Sequence, residues 1–369
     1  MRAMLLRRLG SLAGNRTPLE LTDVPTPTPA EREILVRVSA CGICHTELDE
    51  IEARTPPPVL PVIPGHQVVG RVVTAGTGAR RFKNGDRVGI GWIYSACGEC
   101  EYCRTGRENL CSDFRATGRD ADGGYAEYVK VHEDFALPIP AAFTDSQAAP
   151  LLCAGAIGYR SLRLTGIMGL PRFSPRKPGA VPSATGNSEP PPQSQESSPT
   201  IGLTGFGSSA HLVLQMARHS YPDSRVFVFA RSEQEQAFAR ELGATWAGDT
   251  EDKPPDGLDY IIDTTPVWRP VLAALENLKP GGRLVINAIR KEDTDRQSLA
   301  SLDYPRALWL EKEIKSVANV TRQDISEFLK LAAEMNIKPE VREYPLEQAN
   351  QALTDLKERR IRGAKVLVI

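Results

Sequence analysis

Four cysteines fall within fifteen residues of the chain and follow the pattern C-x2-C-x2-C-x7-C. They are Cys97, Cys100, Cys103 and Cys111. Zn²⁺ takes four thiolates in a tetrahedron, and two-residue gaps let a turn aim successive sulfurs at one point. Because four thiolates complete the coordination shell, we expect a structural rather than a catalytic zinc here. An iron–sulfur cluster tolerates similar spacing and is the less favoured alternative.

The remaining cysteines and the histidines form no local pattern. Cys41 and Cys44 follow a predicted strand, His66 follows Gly65, and Cys153 lies in an apolar segment. Taken alone, each signal is weak, because a single histidine usually serves a structural hydrogen bond and a cysteine among apolar residues usually belongs to a core. The chain has seven cysteines in all. This odd number favours metal binding in a reducing compartment over a disulfide framework.

A glycine-rich turn occupies residues 201–210, with the sequence IGLTGFGSSA. Gly205 permits a tight turn, Gly207 lets the backbone approach a pyrophosphate, and Ala210 is an allowed small third residue. A helix beginning near Ser208 would offer free N–H groups to phosphate. The pattern therefore predicts a dinucleotide site; a tight strand–helix turn without a ligand is the alternative.

The end of the next predicted strand bears on which dinucleotide binds. A carboxylate at this place would select the free ribose 2′-hydroxyl of NAD. The chain has Ala230 there, followed by Arg231. No charge would repel a 2′-phosphate, and a guanidinium could pair with it, so we expect NADP rather than NAD. In the alternative, Arg231 is a solvated residue at a helix start and NAD binds adequately.

The segments that carry these motifs are of two kinds. Before about residue 147, β-rich segments alternate with turns, and we predict strands at residues 33–40, 68–74, 86–90 and 125–131. Residues 147–164 then show the apolar spacing of a helix. After residue 200, strands alternate with helices, which predicts a parallel doubly wound sheet. Its predicted strands are residues 201–204, 225–229, 258–263 and 283–289, and its predicted helices 210–219, 233–242 and 270–278.

The chain ends in a mixed pattern, with a predicted helix at residues 346–357 and a strand at 364–369. One segment, residues 167–200, fits neither kind, because it contains eight prolines and almost no apolar periodicity. We predict a disordered surface loop there, most simply a tolerated insertion. A lid or a partner-binding loop is the alternative.

Composition limits the class of protein. The chain has 369 residues, of which 41% are hydrophobic and 25% charged, as expected for a globular protein of two domains. A net charge of −1 gives no reason to expect nucleic acid or an acidic membrane surface as a partner. No apolar run reaches the ~20 residues of a spanning helix, and no signal peptide is recognisable. We therefore expect a cytoplasmic protein that binds neither nucleic acid nor membrane.

Taken together and in this order, the motifs resemble the zinc-containing alcohol dehydrogenases of the medium-chain dehydrogenase/reductase family. The resemblance covers nearly the whole chain outside residues 167–200. It implies an α/β protein in which a Rossmann domain with a doubly wound parallel sheet is inserted into a GroES-like, mainly β catalytic domain. We place the catalytic domain at residues 1–153 plus 320–369 and the dinucleotide-binding domain at residues 154–319.

The resemblance also assigns roles to individual residues around a catalytic zinc. It implies that Cys44, His66 and Cys153 bind this ion, whereas Cys41 precedes the motif and is not a ligand. Two thiolates and a neutral imidazole balance Zn²⁺, so the centre can polarise a fourth ligand without repelling a forming alkoxide. Thr46 matches the hydroxyl that passes the substrate proton onward.

Four neighbouring positions complete this comparison. Glu47 matches a carboxylate that orients a metal ligand, His45 a basic residue near the coenzyme pyrophosphate, and Trp92 a wall of the substrate pocket. Asp49 falls where many relatives have a proton-relay histidine, and a surface carboxylate is its alternative role. Gln67 departs from the usual glutamate after the zinc histidine, because a neutral amide cannot act as an anionic ligand.

The resemblance therefore implies an enzyme with one catalytic and one structural zinc. It would interconvert a small alcohol, above all a primary one, and its aldehyde or ketone, with NAD(P) as the hydride carrier. Relatives commonly form dimers or tetramers, so we expect a homo-oligomer. A zinc-free reductase of the same superfamily is a weaker alternative, because it should lack the three catalytic ligands. A zinc-ribbon binding module is disfavoured by the balanced charge and the dinucleotide turn.

Overall fold

The computed structural model describes residues 1–169, 198–207, 209–358 and 363–369. Within them the strands are β1 (Arg2–Leu6), β2 (Leu19–Asp23), β3 (Glu33–Ile43), β4 (Val68–Ala75), β5 (Arg87–Ile90), β6 (Ile93–Ser95), β7 (Arg115–Ala116), β8 (Tyr128–His132), β9 (Ala136–Pro138), β10 (Thr200–Thr204), β11 (Arg225–Phe229), β12 (Trp246–Gly248), β13 (Leu258–Asp263), β14 (Leu278–Ile286), β15 (Glu313–Ser316), β16 (Val341–Pro345) and β17 (Ala364–Val368). The α-helices are α1 (His45–Ile51), α2 (Glu101–Arg104), α3 (Asp145–Pro150), α4 (Ala156–Thr165), α5 (Ala210–Ser220), α6 (Glu233–Glu241), α7 (Arg269–Asn277), α8 (Tyr304–Ala307), α9 (Arg322–Glu334) and α10 (Ala349–Lys357).

The first of two compact units combines Met1–Arg160 with Ala318–Ile369. Its main sheet has the strand order β16-β17-β3-β4-β5-β9, and β8 also pairs with β3. The pairs are antiparallel except β16 with β17. In the long strand β3, residues such as Ile34, Val36 and Val38 are buried, and β4 and β5 contribute further aliphatic side chains to the same core. This unit is the mainly β domain predicted from the sequence.

The strand pairing at the centre of this sheet positions the chain just before the first candidate metal ligand, Cys44. Strand β3 continues to Ile43, beyond the predicted end of the strand, because β17 pairs with its last residues. In that antiparallel register Leu367 lies opposite Cys41, and Val366 opposite Gly42. The C-terminal strand therefore holds the backbone that leads directly into Cys44.

The second unit, Ser161–Val317, contains a parallel sheet with the order β12-β11-β10-β13-β14-β15. Counted from its own first strand, this order is 3-2-1-4-5-6, the arrangement of a Rossmann fold. Strand β10 is buried along its whole length, as expected for a central parallel strand. The order reverses between β10 and β13, and ligands of such sheets bind at the carboxyl ends of the strands at this point. The predicted doubly wound sheet is thus confirmed.

Several boundaries differ from the sequence prediction. The predicted helix at residues 147–164 is interrupted by a π-helical turn at Leu151–Gly155, which separates α3 from α4. The predicted loop at 167–200 is too long, because Ile167–Gly169 form a short 3-10 helix and Thr200 already belongs to β10. Residues 170–197 of that loop lie outside the described residues, as does Ser208.

The division between the units also falls elsewhere. The observed boundaries lie after Arg160 and after Val317, whereas the sequence placed them after residues 153 and 319. Arg160 lies inside α4, so no turn or change in composition marks the first boundary. Among the described residues, no helix has the length and apolar character needed to cross a membrane.

Candidate active site and metal centres

Three elements of the first unit bring Cys44, His66 and Cys153 together. Cys44 directly precedes α1, His66 lies in the segment before β4, and Cys153 lies in the π-helical turn Leu151–Gly155. The two sulfurs are 4.0 Å apart, and one ligand atom from each residue lies within 4.8 Å of the others. The chain segments between them are long, so this convergence is a property of the fold rather than of local sequence.

Glu47 connects two of the three residues. Its Oε2 accepts a hydrogen bond from the Cys44 backbone N–H at 2.8 Å, and its Oε1 lies 2.7 Å from His66 Nδ1. Both side chains are almost completely buried. The Trp92 ring lies edge-on to the His66 imidazole, with centroids 4.9 Å apart. Glu47 and Trp92 therefore fix the orientation of the imidazole, as a carboxylate behind a metal-binding histidine does.

Burial and neighbouring charges shift the acid–base behaviour of this cluster. A hydrogen bond from the Cys153 thiol, supported by His66, holds the pKa of Cys44 well below the usual thiol range. As the donor of that hydrogen bond, and because it is buried, Cys153 has a strongly raised pKa. Burial lowers the pKa of His66, but the charge of Glu47 and the Cys44 sulfur outweigh it and raise the pKa.

The three residues fit a zinc ion. Two sulfurs and one imidazole nitrogen are the donors that zinc prefers, and three protein ligands leave a fourth position for substrate. His66 Nε2 is buried and has no hydrogen-bond partner among the described residues. A buried nitrogen of this kind carries a desolvation cost that a metal would remove.

The other residues predicted around this cluster differ in their surroundings. Thr46 is half-buried, and its Oγ1 lies 3.5 Å from Cys44 Sγ. His45 is exposed at the start of α1. Asp49 is not a surface carboxylate, because it is only 7% exposed and its Oδ1 pairs with Nε of Arg54. Gln67 is buried.

The second cluster is the four-cysteine loop around α2. Cys97 Sγ lies 3.5 Å from Cys111 Sγ and 3.8 Å from Cys103 Sγ, and the four sulfurs are within 4.8 Å of one another. The Cys100 backbone N–H donates to Cys97 Sγ at 3.3 Å, and such backbone donors lower the pKa of Cys97 to about 7. Cys97 thus already favours the thiolate form that zinc requires, whereas burial raises the pKa of Cys103 to about 12. Four sulfurs at this spacing fit a closed tetrahedral site.

The glycine turn of the second unit follows β10. Gly205 has φ +77°, and a Cβ there would lie 2.9 Å from Thr264 Oγ1, so the turn requires glycine. At Gly207 a Cβ would meet nothing within 4 Å. Because no described protein atom fills this space, the glycine leaves room for a ligand close to the backbone. Ala210 is buried at the start of α5.

At the end of β11, Ala230 is buried and Arg231 is exposed. Within the described ranges, no hydrogen bond or ion pair holds the Arg231 guanidinium. No carboxylate stands at this strand end.

Two pairings were not predicted from the sequence. Arg54 binds Asp49 although nothing in its local sequence suggests it. Lys291 Nζ binds Asp263 Oδ2, and both side chains are buried at the carboxyl end of β13. The second pair could have been suspected from the sequence, because Asp263 is an acidic residue at the end of a strand, next to the point where the strand order reverses.

Comparison with known proteins agrees with this geometry. Residues 30–141 match the family model "Alcohol dehydrogenase GroES-like domain", and residues 210–334 match "Zinc-binding dehydrogenase". The chain is 42% identical to "probable alcohol dehydrogenase AdhA" of Mycobacterium tuberculosis, over all of this chain and 97% of that protein. It is 32% identical to an alcohol dehydrogenase of Geobacillus stearothermophilus, over 95% of each chain.

The structure is also similar to a cinnamyl alcohol dehydrogenase of Sorghum bicolor, with a TM-score of 0.76 and 25% identity over 99% of this chain and 97% of that one. The strand orders, the two donor clusters and the glycine turn lie in the units that these matches cover. The chain belongs to the zinc-containing alcohol dehydrogenases of the medium-chain dehydrogenase/reductase family.

Proposed function

We propose that this chain interconverts small primary alcohols and their aldehydes, with zinc at Cys44, His66 and Cys153 and with NADP as the preferred coenzyme. The observation that carries the proposal is the convergence of these three donors around a buried imidazole nitrogen that has no partner among the described residues. Zinc held there would supply Lewis acidity toward the substrate oxygen.

The residues around the donors would prepare and move the proton. Glu47 holds the His66 ring through Nδ1, which leaves Nε2 to face the metal. Thr46 Oγ1, half-buried and close to Cys44 Sγ, is placed to accept the hydroxyl proton of the alcohol and to pass it outward. Asp49 is the next carboxylate after Glu47 along α1, and Arg54 forms an ion pair with it.

The four-cysteine loop would hold a second zinc with a structural role. Cys97, Cys100, Cys103 and Cys111 offer four sulfurs and therefore leave no open coordination position. The contribution of this ion would be to stability, because folding gathers the four thiolates that bind it.

The proposed coenzyme site lies at the carboxyl ends of β10 and β11. Gly207 would let the pyrophosphate approach the backbone, and the first N–H groups of α5 would face it. Arg231, exposed and without a partner in the described part of the chain, would pair with a 2′-phosphate. The coenzyme supplies or accepts the hydride.

The catalytic assignment is tested by metal analysis and by steady-state kinetics with a panel of primary alcohols and aldehydes. Cys44→Ser should abolish turnover and remove one metal ion per chain. Cys41→Ala is the matched control, because Cys41 is buried nearby but is not a proposed ligand. Retention of the wild-type kcat by Cys44→Ser would disprove the assignment.

The coenzyme assignment is tested by measuring kcat/KM with NADP and NAD. A charge-assisted contact is worth about 1.5–3 kcal/mol, so Arg231→Ala should weaken the use of NADP roughly ten- to hundredfold and that of NAD much less. Ala230→Asp should move the preference toward NAD. Arg296→Ala, at another exposed arginine of the same unit, is the control. Equal losses for both coenzymes in Arg231→Ala would contradict the proposal.

A further inference from the structure

The turn that carries Cys153 is not a regular helix. Helix α3 ends at Pro150, which has no N–H to donate and therefore breaks the regular hydrogen-bond ladder. In the turn Leu151–Gly155 that follows, the Ala156 backbone N–H donates to the Leu151 carbonyl, five residues earlier. Such π-helical insertions change the direction of the side chains they carry and recur at functional sites.

On one side, this turn is in contact with helix α9 at Gly155. A Cβ on Gly155 would lie 2.1 Å from Cε1 and 2.2 Å from Cζ of Phe328. The Phe328 ring is completely buried, and the Tyr159 ring lies beside it at a centroid distance of 6.4 Å. No side chain at position 155 can therefore be accommodated unless the ring or the turn moves.

On the other side, the turn is in contact with the strand β5 region. A Cβ on Gly89 would lie 2.9 Å from Cδ2 of Leu152, a residue of the turn. A Cβ on Gly91 would lie 2.7 Å from Cδ1 of Ile325, so α9 also packs against this strand region. Ile325 is three residues before Phe328 and lies on the same side of α9. The residues on both sides of Cys153, at positions 152 and 155, are thus packed between the strand and α9 with little free space.

We propose that Phe328, through its contact with Gly155, is a positioning residue that sets where Cys153 Sγ stands relative to Cys44 and His66. The inference rests on the proposed function only in taking Cys153 as a metal ligand. A zinc site requires its donors within a few tenths of an ångström of their ideal places. A shift of the turn by the width of a methyl group would therefore weaken the site without removing any ligand.

The test compares metal affinities of the purified full-length chain by chelator competition. Gly155→Ala should weaken zinc binding at the site with Cys44 roughly 10- to 100-fold, as changes behind a metal ligand commonly do, while the four-cysteine loop keeps its ion. In the Co²⁺-substituted protein, the thiolate-to-metal absorption band should weaken or shift. Adding Phe328→Leu to Gly155→Ala makes room for the new methyl group and should return most of the affinity.

Gly202→Ala is the matched control. Its Cβ would lie 2.8 Å from Leu258 Cδ1 in the core of the second unit, so it introduces a clash, though a milder one, away from the donors. It should lower stability and leave metal affinity unchanged. Wild-type affinity in folded Gly155→Ala, or no recovery in the double variant, would overturn the proposal.

If Gly155→Ala does not fold, Phe328→Leu alone decides the question. It removes part of the ring and should loosen the turn, with weaker zinc binding; unchanged affinity would overturn the proposal. Failure of the proposed function gives a different result. A wild-type chain that binds zinc at Cys153 but does not turn over alcohols would refute the function and leave the positioning role intact.

Discussion

Replacing Glu47 by glutamine tests how the buried carboxylate supports the candidate zinc site. The carboxylate makes two contacts, one from the Cys44 backbone N–H and one to His66 Nδ1. Glutamine has almost the same shape but only one acceptor oxygen. Its NH₂ group must therefore face either the Cys44 backbone N–H or His66 Nδ1, the two nitrogens that the carboxylate oxygens now face.

The expected loss can be estimated from these two contacts. A hydrogen bond to a charged group is worth about 1.5–3 kcal/mol and a neutral one about 0.5–1.5, so losing the charge of Glu47 costs about 1 kcal/mol. The donor left facing the NH₂ group costs about a further 1–2 kcal/mol. The sum of about 2–3 kcal/mol corresponds to roughly 30- to 150-fold weaker zinc binding.

The assay is chelator competition followed by metal analysis. The four-cysteine loop serves as an internal reference, because none of its sulfurs contacts Glu47 and its ion should be retained. We also expect kcat/KM per bound catalytic zinc to fall, since the His66 ring would be less firmly oriented. If Glu47→Gln bound zinc with wild-type affinity at both sites, the reasoning would be refuted, and packing alone would be shown to hold His66.

Three further outcomes are expected. Cys100→Ser should lower Tm by roughly 5 °C or more in calorimetry, because its zinc contributes to folding; an unchanged Tm would contradict a structural ion. Asp49→Asn should leave the pH profile of kcat unchanged, because Arg54 already engages Asp49, whereas a shifted profile would restore a relay role. Burial raises the pKa of Glu52, but the contacts with Lys357 and Arg54 outweigh burial and lower the pKa from 4.5 to about 2. The ionised Glu52 carboxylate therefore stabilises the fold above pH 4.5, and this stabilisation is lost as the pH falls toward 2. Glu52→Gln should therefore lower the free energy of unfolding at pH 7 by about 1–2 kcal/mol, allowing for solvent screening by its partly exposed partners, and much less at pH 3 in denaturant titrations; an equal loss at both would contradict the shift.

The two metal clusters differ in how far sequence alone predicts them. Cys97 and Cys111 bound a segment short enough for turn geometry to gather its four sulfurs, so spacing was sufficient. Cys44, His66 and Cys153 carry no such local signal, and only the resemblance to a family selected them. Their convergence depends on the pairing of β3 with β17 and on the π-helical turn that carries Cys153, far along the chain from Cys44.

Other features could not be predicted, for physical reasons. The π-helical turn Leu151–Gly155 is only five residues long, too short for a periodic pattern to distinguish it from an α-helix. Strand β15 has four exposed residues and therefore lacks the alternation by which strands are recognised. The pairing of Asp49 with Arg54, and the contact of Gly155 with Phe328, depend on side-chain positions that no periodic pattern encodes.

The composition of the first unit from two separate stretches of chain has a consequence for synthesis. Strand β3 ends at Ile43, but its partner β17 begins only at Ala364, so the sheet that leads into Cys44 stays incomplete until almost the whole chain has left the ribosome. The second unit, Ser161–Val317, is continuous and can fold earlier. The seven cysteines all lie in the first of the two stretches, so they would be present as free thiols before β17 completes the sheet. During that interval, the fold would not yet shield these thiols from oxidation.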